Sequence, residues 1–292
     1  MSRDSTDYAR YCYSVWLRHL VLAYENGLRS YPKVILELGP GASLGVGLAA
    51  LVAGADRYYG LDIERGVDAV RDLGVFDRLV ELFRRREPIP GREEFPLVQP
   101  SLESWKFPAF VFEDGSLERA LVPERLHDLR LQVARCEQGC SDLCYVVGSN
   151  AGQNIPEQAV DFVISQAVME RVKDLERAYR TIAHWLRPGG FSSHAIDFAE
   201  PLTSIFWNGN WARSDLIWGL MQGRRASWSN REPHSTHIQC MNAAGLHILT
   251  DVVSKDRGGL PRERLRARYR SLDQEDLLTR SAYILALKPA AV

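Results

Sequence analysis

A twenty-nine-residue stretch, Val34 to Asp62, constrains the chain more than any other. Val34-Ile35-Leu36-Glu37-Leu38 is a short apolar run that meets a glycine turn at Gly39-Pro40-Gly41, and a run of small and apolar residues follows before Tyr58-Tyr59-Gly60-Leu61-Asp62. Short apolar runs bounded by turn residues read as buried strands, and Leu44, Leu48 and Leu51 recur at spacings of four and three, which predicts a helix between them. Gly54 suits the stop of that helix. Strand, glycine turn, helix and strand are one half of an α/β ligand-binding unit, in which the ligand sits beyond the carboxyl ends of the strands. Asp62, twenty-one residues past Gly41, falls at the tip of the second strand, where a carboxylate can accept hydrogen bonds from both hydroxyls of a ribose.

The dinucleotide pattern G-x-G-x-x-G is not met, because Leu44 stands at the third glycine position. The alternative to a ligand site is a tight strand-to-helix turn in some other α/β protein. Glu37-Leu38-Gly39-Pro40-Gly41, with its acid before the glycines, resembles motif I of the class I S-adenosylmethionine-dependent methyltransferases. The acid suits that cofactor, which carries an amino group and a sulfonium and no phosphate. Val160-Asp161-Phe162-Val163-Ile164-Ser165, a helix pattern through Val172, Leu175, Tyr179, Ile182 and Leu186, and Arg187-Pro188-Gly189-Gly190 resemble motif IV and the strand after it in the same superfamily. The resemblance covers residues 34–65 and 145–198 well and the rest poorly. It implies a Rossmann-like seven-stranded sheet of six parallel strands and one antiparallel, with S-adenosylmethionine as cofactor. It also implies Glu37, Gly39, Gly41, Asp62, Asn150, Ser165 and Gln166 as cofactor-binding residues. Asn150 departs from the acid common at the adenine contact.

The strand Phe191–Phe198 carries Ser193-His194-Ala195-Ile196-Asp197. This resembles a bacterial methyltransferase subgroup of glycan and secondary-metabolite pathways, which continues with a further acid and histidine where Glu200 and Pro201 stand here, so a two-histidine metal site is not expected. An imidazole is poised near neutral pH, which makes His194 the expected general base and Asp197 the group that orients it or binds the acceptor. The expected reaction is O-methylation of a small-molecule acceptor, a sugar or secondary metabolite. N- or C-methylation on the same scaffold and a noncatalytic cofactor-binding protein are the alternatives.

Between Asp62 and the next strand, Leu143–Val147, lie some eighty residues. Residues 66–140 are therefore an insertion within one methyltransferase domain spanning 1–292. Leu73–Arg86 reads as a helix, and so does the stretch from Pro123 with Leu126, Leu129 and Val133 on one face. The proline-punctuated aromatic segment between them, Phe95 to Phe112, is expected to be an ordered lid or acceptor-binding wall, or else structural cover. Tyr8–Tyr24 reads as an amphipathic helix. Trp207, Trp211, Trp218 and Trp228 form an aromatic wall or fill core, and Asn230, Arg231, His234 and His237 could bring donors to the acceptor. Ile248–Val253 and Ser281–Leu287 read as the closing strand pair.

A formal net charge of -1 argues against a nonspecific nucleic-acid binder. No run reaches the roughly eighteen apolar residues of a membrane span, and the first residues lack the apolar core of a signal peptide, so a cytoplasmic protein without membrane or nucleic-acid partners is expected. Five cysteines, an odd number, suit reduced thiols. Cys136, Cys140 and Cys144 recur every four residues, but Gly139 and Ser141-Asp142 interrupt a helix there and a fourth zinc ligand is missing, so no metal is expected.

Overall fold

The computed structural model describes residues 5–112, 115–135, 142–148, 151–199, 205–223 and 228–290. Its centre is one seven-stranded sheet: β1 Val34–Leu38, β2 Arg57–Asp62, β3 Leu143–Val147, β4 Val160–Gln166, β5 Leu186–Asp197, β6 His247–Lys255 and β7 Thr279–Leu287. The spatial order is β3-β2-β1-β4-β5-β7-β6. Only β7 runs antiparallel to its neighbours, so the sheet has the expected six parallel strands and one antiparallel. The order reverses between β1 and β4, and their carboxyl ends diverge into a crevice there.

Two apolar layers enclose the sheet. One face is covered by α1 Ala9–Glu25, α2 Gly45–Val52 and α3 Ala69–Arg84, with α4 Ser116–Ala120 and α5 Pro123–Ala134 behind them. The other face carries α6 Leu175–Trp185 and α8 His234–Ala243, while α7 Asp215–Gln222 buries only Trp218, which packs on Trp228. The helical spacings read from the sequence are met: α5 buries Leu126, Leu129 and Val133, and α6 buries Leu175, Tyr179, Ile182 and Trp185. Asp174 caps α6 by accepting from the Arg177 backbone N–H at 2.9 Å. Leu186 belongs to β5 instead of the helix, because the turn at Arg187–Gly190 is held within the extended strand.

Asp161 shows how the β4 motif ties the sheet together. Its Oδ2 accepts from the backbone N–H groups of Lys33 and Val34, at 2.8 and 2.7 Å, and its Oδ1 pairs with Arg187. One carboxylate thus fixes the start of β1 to β4 and to the entry of β5.

The proline-rich part of the insertion lies against α1. Arg18, fully buried in that helix, donates to the carbonyls of Val98, Pro100 and Pro90, and Ser14 and Tyr13 donate to those of Pro90 and Glu87. Phe95 is also fully buried and meets Tyr8 and Tyr11 edge-on. Buried donors must be satisfied, and here carbonyls that proline-broken backbone leaves unpaired satisfy them. The insertion therefore serves as cover for α1. Of the expected roles, structural cover fits this packing, and none of the residues lining the large cavity comes from 69–147.

Candidate functional site

A cavity of about 950 Å3 opens at the carboxyl ends of β1 to β4 and runs along α6. Gly39, Gly41 and Asp62 line its mouth with Ile63 and Gly148, and Ala167, Val168 and Arg171 overhang it from the turn after β4. Its inner wall is apolar, formed by Ile155, Ala178, Ile182 and Trp185. The size and lining suit a small organic ligand.

The two glycines of the turn are required by geometry. Gly39 sits at φ +65° and Gly41 at +75°, conformations that side chains disfavour. A Cβ on Gly39 would lie 2.6 Å from Cγ2 of Val168, so the turn and the overhanging residue are in direct contact. Asp62 bridges the site: Oδ2 accepts from Gly41 N–H at 3.1 Å and Oδ1 from Ile63 N–H at 2.7 Å.

The donors at the start of α2 are already engaged. Ser43 N–H donates to Thr6 Oγ1 at 2.9 Å, Leu44 N–H to Asp72 Oδ1 at 3.1 Å, and Gly45 N–H to Ser43 Oγ at 3.1 Å. A phosphate at a helix N-terminus needs those N–H groups free. Three carboxyls, Glu37, Asp62 and Asp72, also gather around this turn, and burial pushes Glu37 up to about 7 and Asp72 up to about 6. With those N–H groups engaged, the turn offers no free donor at Ser43, Leu44 or Gly45 for a phosphate, and Asp62 is the carboxylate of the three that lines the cavity.

Several expected residues lie elsewhere. Glu37 is buried beneath the turn, where it accepts from Tyr58 Oη at 2.6 Å, and does not line the cavity. Tyr58 reaches it by lying across Gly47, where a Cβ would come within 2.1 Å of the ring. Ser165 is buried against His194, and Gln166 is half-buried, its Oε1 3.1 Å from His19 Nε2. Neither lines the cavity. Asn150 lies outside the described residues, as do Cys136 and Cys140, while Cys144 sits half-buried on β3.

His194 is the main correction. Ser165 and His194 are paired across β4 and β5, and Ser192 is two residues away, so all three project from the same face of the sheet. That face is closed by α6 and α8. His194 Nδ1 lies 2.7 Å from Ser165 Oγ and Nε2 2.6 Å from Ser192 Oγ. Burial lowers its pKa to about 3. Both nitrogens are engaged with strand hydroxyls, and the ring does not face the cavity. Asp197 is exposed at the carboxyl end of β5, its Oδ1 accepting from Ala199 N–H at 3.0 Å, and it too lies outside the cavity lining.

The four tryptophans fill core: all are buried, and Trp211 stacks on Tyr269 at 5.3 Å. Asn230 clamps the turn after β4 by donating Nδ2 to the carbonyls of Met169 and Val172 and its backbone N–H to that of Glu170. Arg231 is buried over Trp218, and His237 lies 2.9 Å from Tyr179 Oη. His234 pairs with Asp251. None of these lines the cavity. Glu170 was missed from the sequence. It is 4% exposed, burial raises its pKa to about 8, and its Oε2 is without a partner among the described residues. Only its place just after β4 could have singled it out.

Residues 121–193 match the family described as "Methyltransferase domain". The match contains β3, β4, α6 and most of β5, and the sheet order around them is the one that family reading requires. Over that span the chain is similar to a methyltransferase domain, and its sheet has the order of the Rossmann-like methyltransferase fold. A search of the curated proteins finds no match. Among solved structures, the chain is similar to the geranyl diphosphate C-methyltransferase of Streptomyces coelicolor A3(2), with 12% identity, 93% of this chain and 78% of that one covered and a TM-score of 0.47. It is likewise similar to an S-adenosylmethionine-dependent methyltransferase of Methanosarcina mazei, at 11% identity over 92% and 98% of the two chains with a TM-score of 0.46. One from Mesorhizobium loti shows 13% identity over 91% and 96%, with a TM-score of 0.44. No helix among the described residues is long and apolar enough to cross a membrane.

Proposed function

We propose that this protein moves the methyl group of S-adenosylmethionine to an oxygen of a small-molecule acceptor, a sugar or secondary metabolite. The observation that carries the reading is one cavity of about 950 Å3 joining the glycine turn and Asp62 to an apolar wall, with room for a cofactor and a compact acceptor. When bound, the cofactor supplies an electrophilic methyl on a sulfonium. Asp62 is the residue to bind the ribose hydroxyls, exchanging its contacts with Gly41 and Ile63 for them. Gly39 and Gly41 let the ligand approach the backbone, and Val168 packs over them as a wall against water. Excluding water and fixing the in-line approach can account for several kcal/mol of the barrier.

His194 is a structural group in this reading, and the carboxylate assigned to the acceptor's proton is Asp197, exposed at the end of β5 outside the cavity lining. A carboxylate is a weak base for an aliphatic alcohol and a better match for an acidic hydroxyl, which favours phenolic acceptors within the class. The test is release of S-adenosylhomocysteine with a panel of phenols and sugars, followed by product mass with a deuterated methyl donor. A labelled O-methyl product, and a fall of about 10²–10³-fold in turnover for Asp197→Asn at unchanged cofactor affinity, support the reading. Tight cofactor binding with no transfer to any acceptor favours the noncatalytic alternative, and a labelled amine or carbon product favours N- or C-methylation.

A further inference from the structure

The glycine turn is held from outside its own motif. Ser5–Tyr8 precedes α1 and forms one turn, with Tyr8 N–H donating to the Ser5 carbonyl at 2.9 Å. Thr6 lies over the start of α2. Its Oγ1 accepts from the Ser43 backbone N–H at 2.9 Å, and its carbonyl accepts from the Ser43 hydroxyl and, at 3.1 Å, from the Cys12 thiol. The packing leaves no slack: a Cβ on Gly45 would fall 2.3 Å from Cys12 Sγ and 3.0 Å from the Thr6 carbonyl oxygen. A Cβ on Gly41 would stand 3.7 Å from Thr6 Oγ1, so the hydroxyl also borders the cavity-lining glycine. Cys12 is fully buried in α1, which fixes this segment to the core.

We propose that Thr6 is a positioning residue of the cofactor site, its hydroxyl and carbonyl holding the Gly39–Leu44 turn in the shape that receives S-adenosylmethionine. The proposal rests on that turn being the cofactor's. Thr6 occupies the donor of Ser43, which would otherwise be free to turn toward the cavity or to water, and so keeps the turn in one conformation before ligand arrives. Preorganisation of this kind acts on affinity by sparing the ordering cost at binding. The effect is indirect, through backbone, and applies to methylated and demethylated cofactor alike.

Thr6→Val keeps the shape and removes the acceptor; Thr6→Ser keeps the acceptor. Calorimetry with S-adenosylmethionine and S-adenosylhomocysteine should show Thr6→Val weakening both by about 5–10-fold, the scale of one lost hydrogen bond, with Thr6→Ser within twofold of wild type. Amide exchange at Ser43 should be faster in Thr6→Val without any ligand. Wild-type affinity in Thr6→Val, or a Thr6→Ser protein as weak as Thr6→Val, overturns the proposal, as does a lowered melting temperature with unchanged affinities. If the wild-type protein binds neither cofactor form, the cofactor reading fails. Unchanged Ser43 exchange in Thr6→Val then separately removes the role of Thr6 in holding the turn.

Discussion

Replacing Gly47 by alanine sets two effects of known size against each other. Gly47 lies within α2, where alanine is favoured over glycine by about 1 kcal/mol. The added Cβ would lie 2.1 Å from Cε2 and 2.2 Å from Cζ of Tyr58, distances no relaxation of a rigid ring absorbs in place. Tyr58 is fully buried and must move, at an overpacking cost of about 1–3 kcal/mol. Its hydroxyl then leaves Glu37, which loses the 2.6 Å hydrogen bond and stays buried, at a further cost of about 1.5–3 kcal/mol. The net expectation is a loss of about 1.5–5 kcal/mol in spite of the better helix residue. Gly74 is the matched control: it lies in α3, and a Cβ there meets nothing within 4 Å. Gly74→Ala should gain about 0.5–1 kcal/mol. Urea denaturation of both variants followed by circular dichroism decides the matter. A Gly47→Ala protein as stable as wild type would refute the packing of Tyr58 between α2 and Glu37.

His194→Ala should leave Ser165 and Ser192 without their buried partner and cost about 2–4 kcal/mol, while cofactor affinity stays within twofold where the variant is folded; a fully stable variant with turnover reduced a hundredfold or more would restore the general-base role. The unfolded chain protonates this histidine first, so its contribution to stability is lost as pH falls from 6.5 toward about 3, and His194→Gln should flatten that limb in chemical denaturation. Glu170 has the opposite sign: its folded pKa of about 8 lies above the ordinary 4.5, so it contributes stability below pH 4.5 that is lost as pH rises through 8. Glu170→Gln should remove a loss on the order of 3–5 kcal/mol between pH 5 and 9, and a wild-type-to-variant difference that does not change with pH would contradict the burial of that carboxyl.

The sheet was legible because each strand carries its own signal: apolar runs at β1, β3 and β4, turn residues beside them, and helical spacing in α5 and α6. Gly39, Gly41 and Asp62 were legible for a related reason, since strand ends and glycine turns locate a crevice without knowledge of what packs around it. His194 was misread because its distance along β5 suggests access, whereas access depends on the face. The period of two puts it beside Ser192 and across from Ser165, and α8, far off in sequence, closes that face. Glu37 failed in the same way, its partner Tyr58 being legible only as a strand residue. The packing of the insertion was not legible because Ser14 and Arg18 carry no apolar signal, and yet they are the buried donors that bind the proline-rich carbonyls. Thr6 carries no pattern at all; its role follows from where α1 begins.

The most direct test of the account is calorimetric titration of the wild-type protein and of Asp62→Ala with S-adenosylmethionine, beside ATP and NAD as phosphate-bearing competitors. Wild type should bind S-adenosylmethionine and neither phosphate ligand, and Asp62→Ala should lose about 1.5–3 kcal/mol, the scale of hydrogen bonds to a charged group. Binding of ATP or NAD in preference, or undiminished S-adenosylmethionine affinity in a folded Asp62→Ala protein, would contradict the site described at Gly39, Gly41 and Asp62.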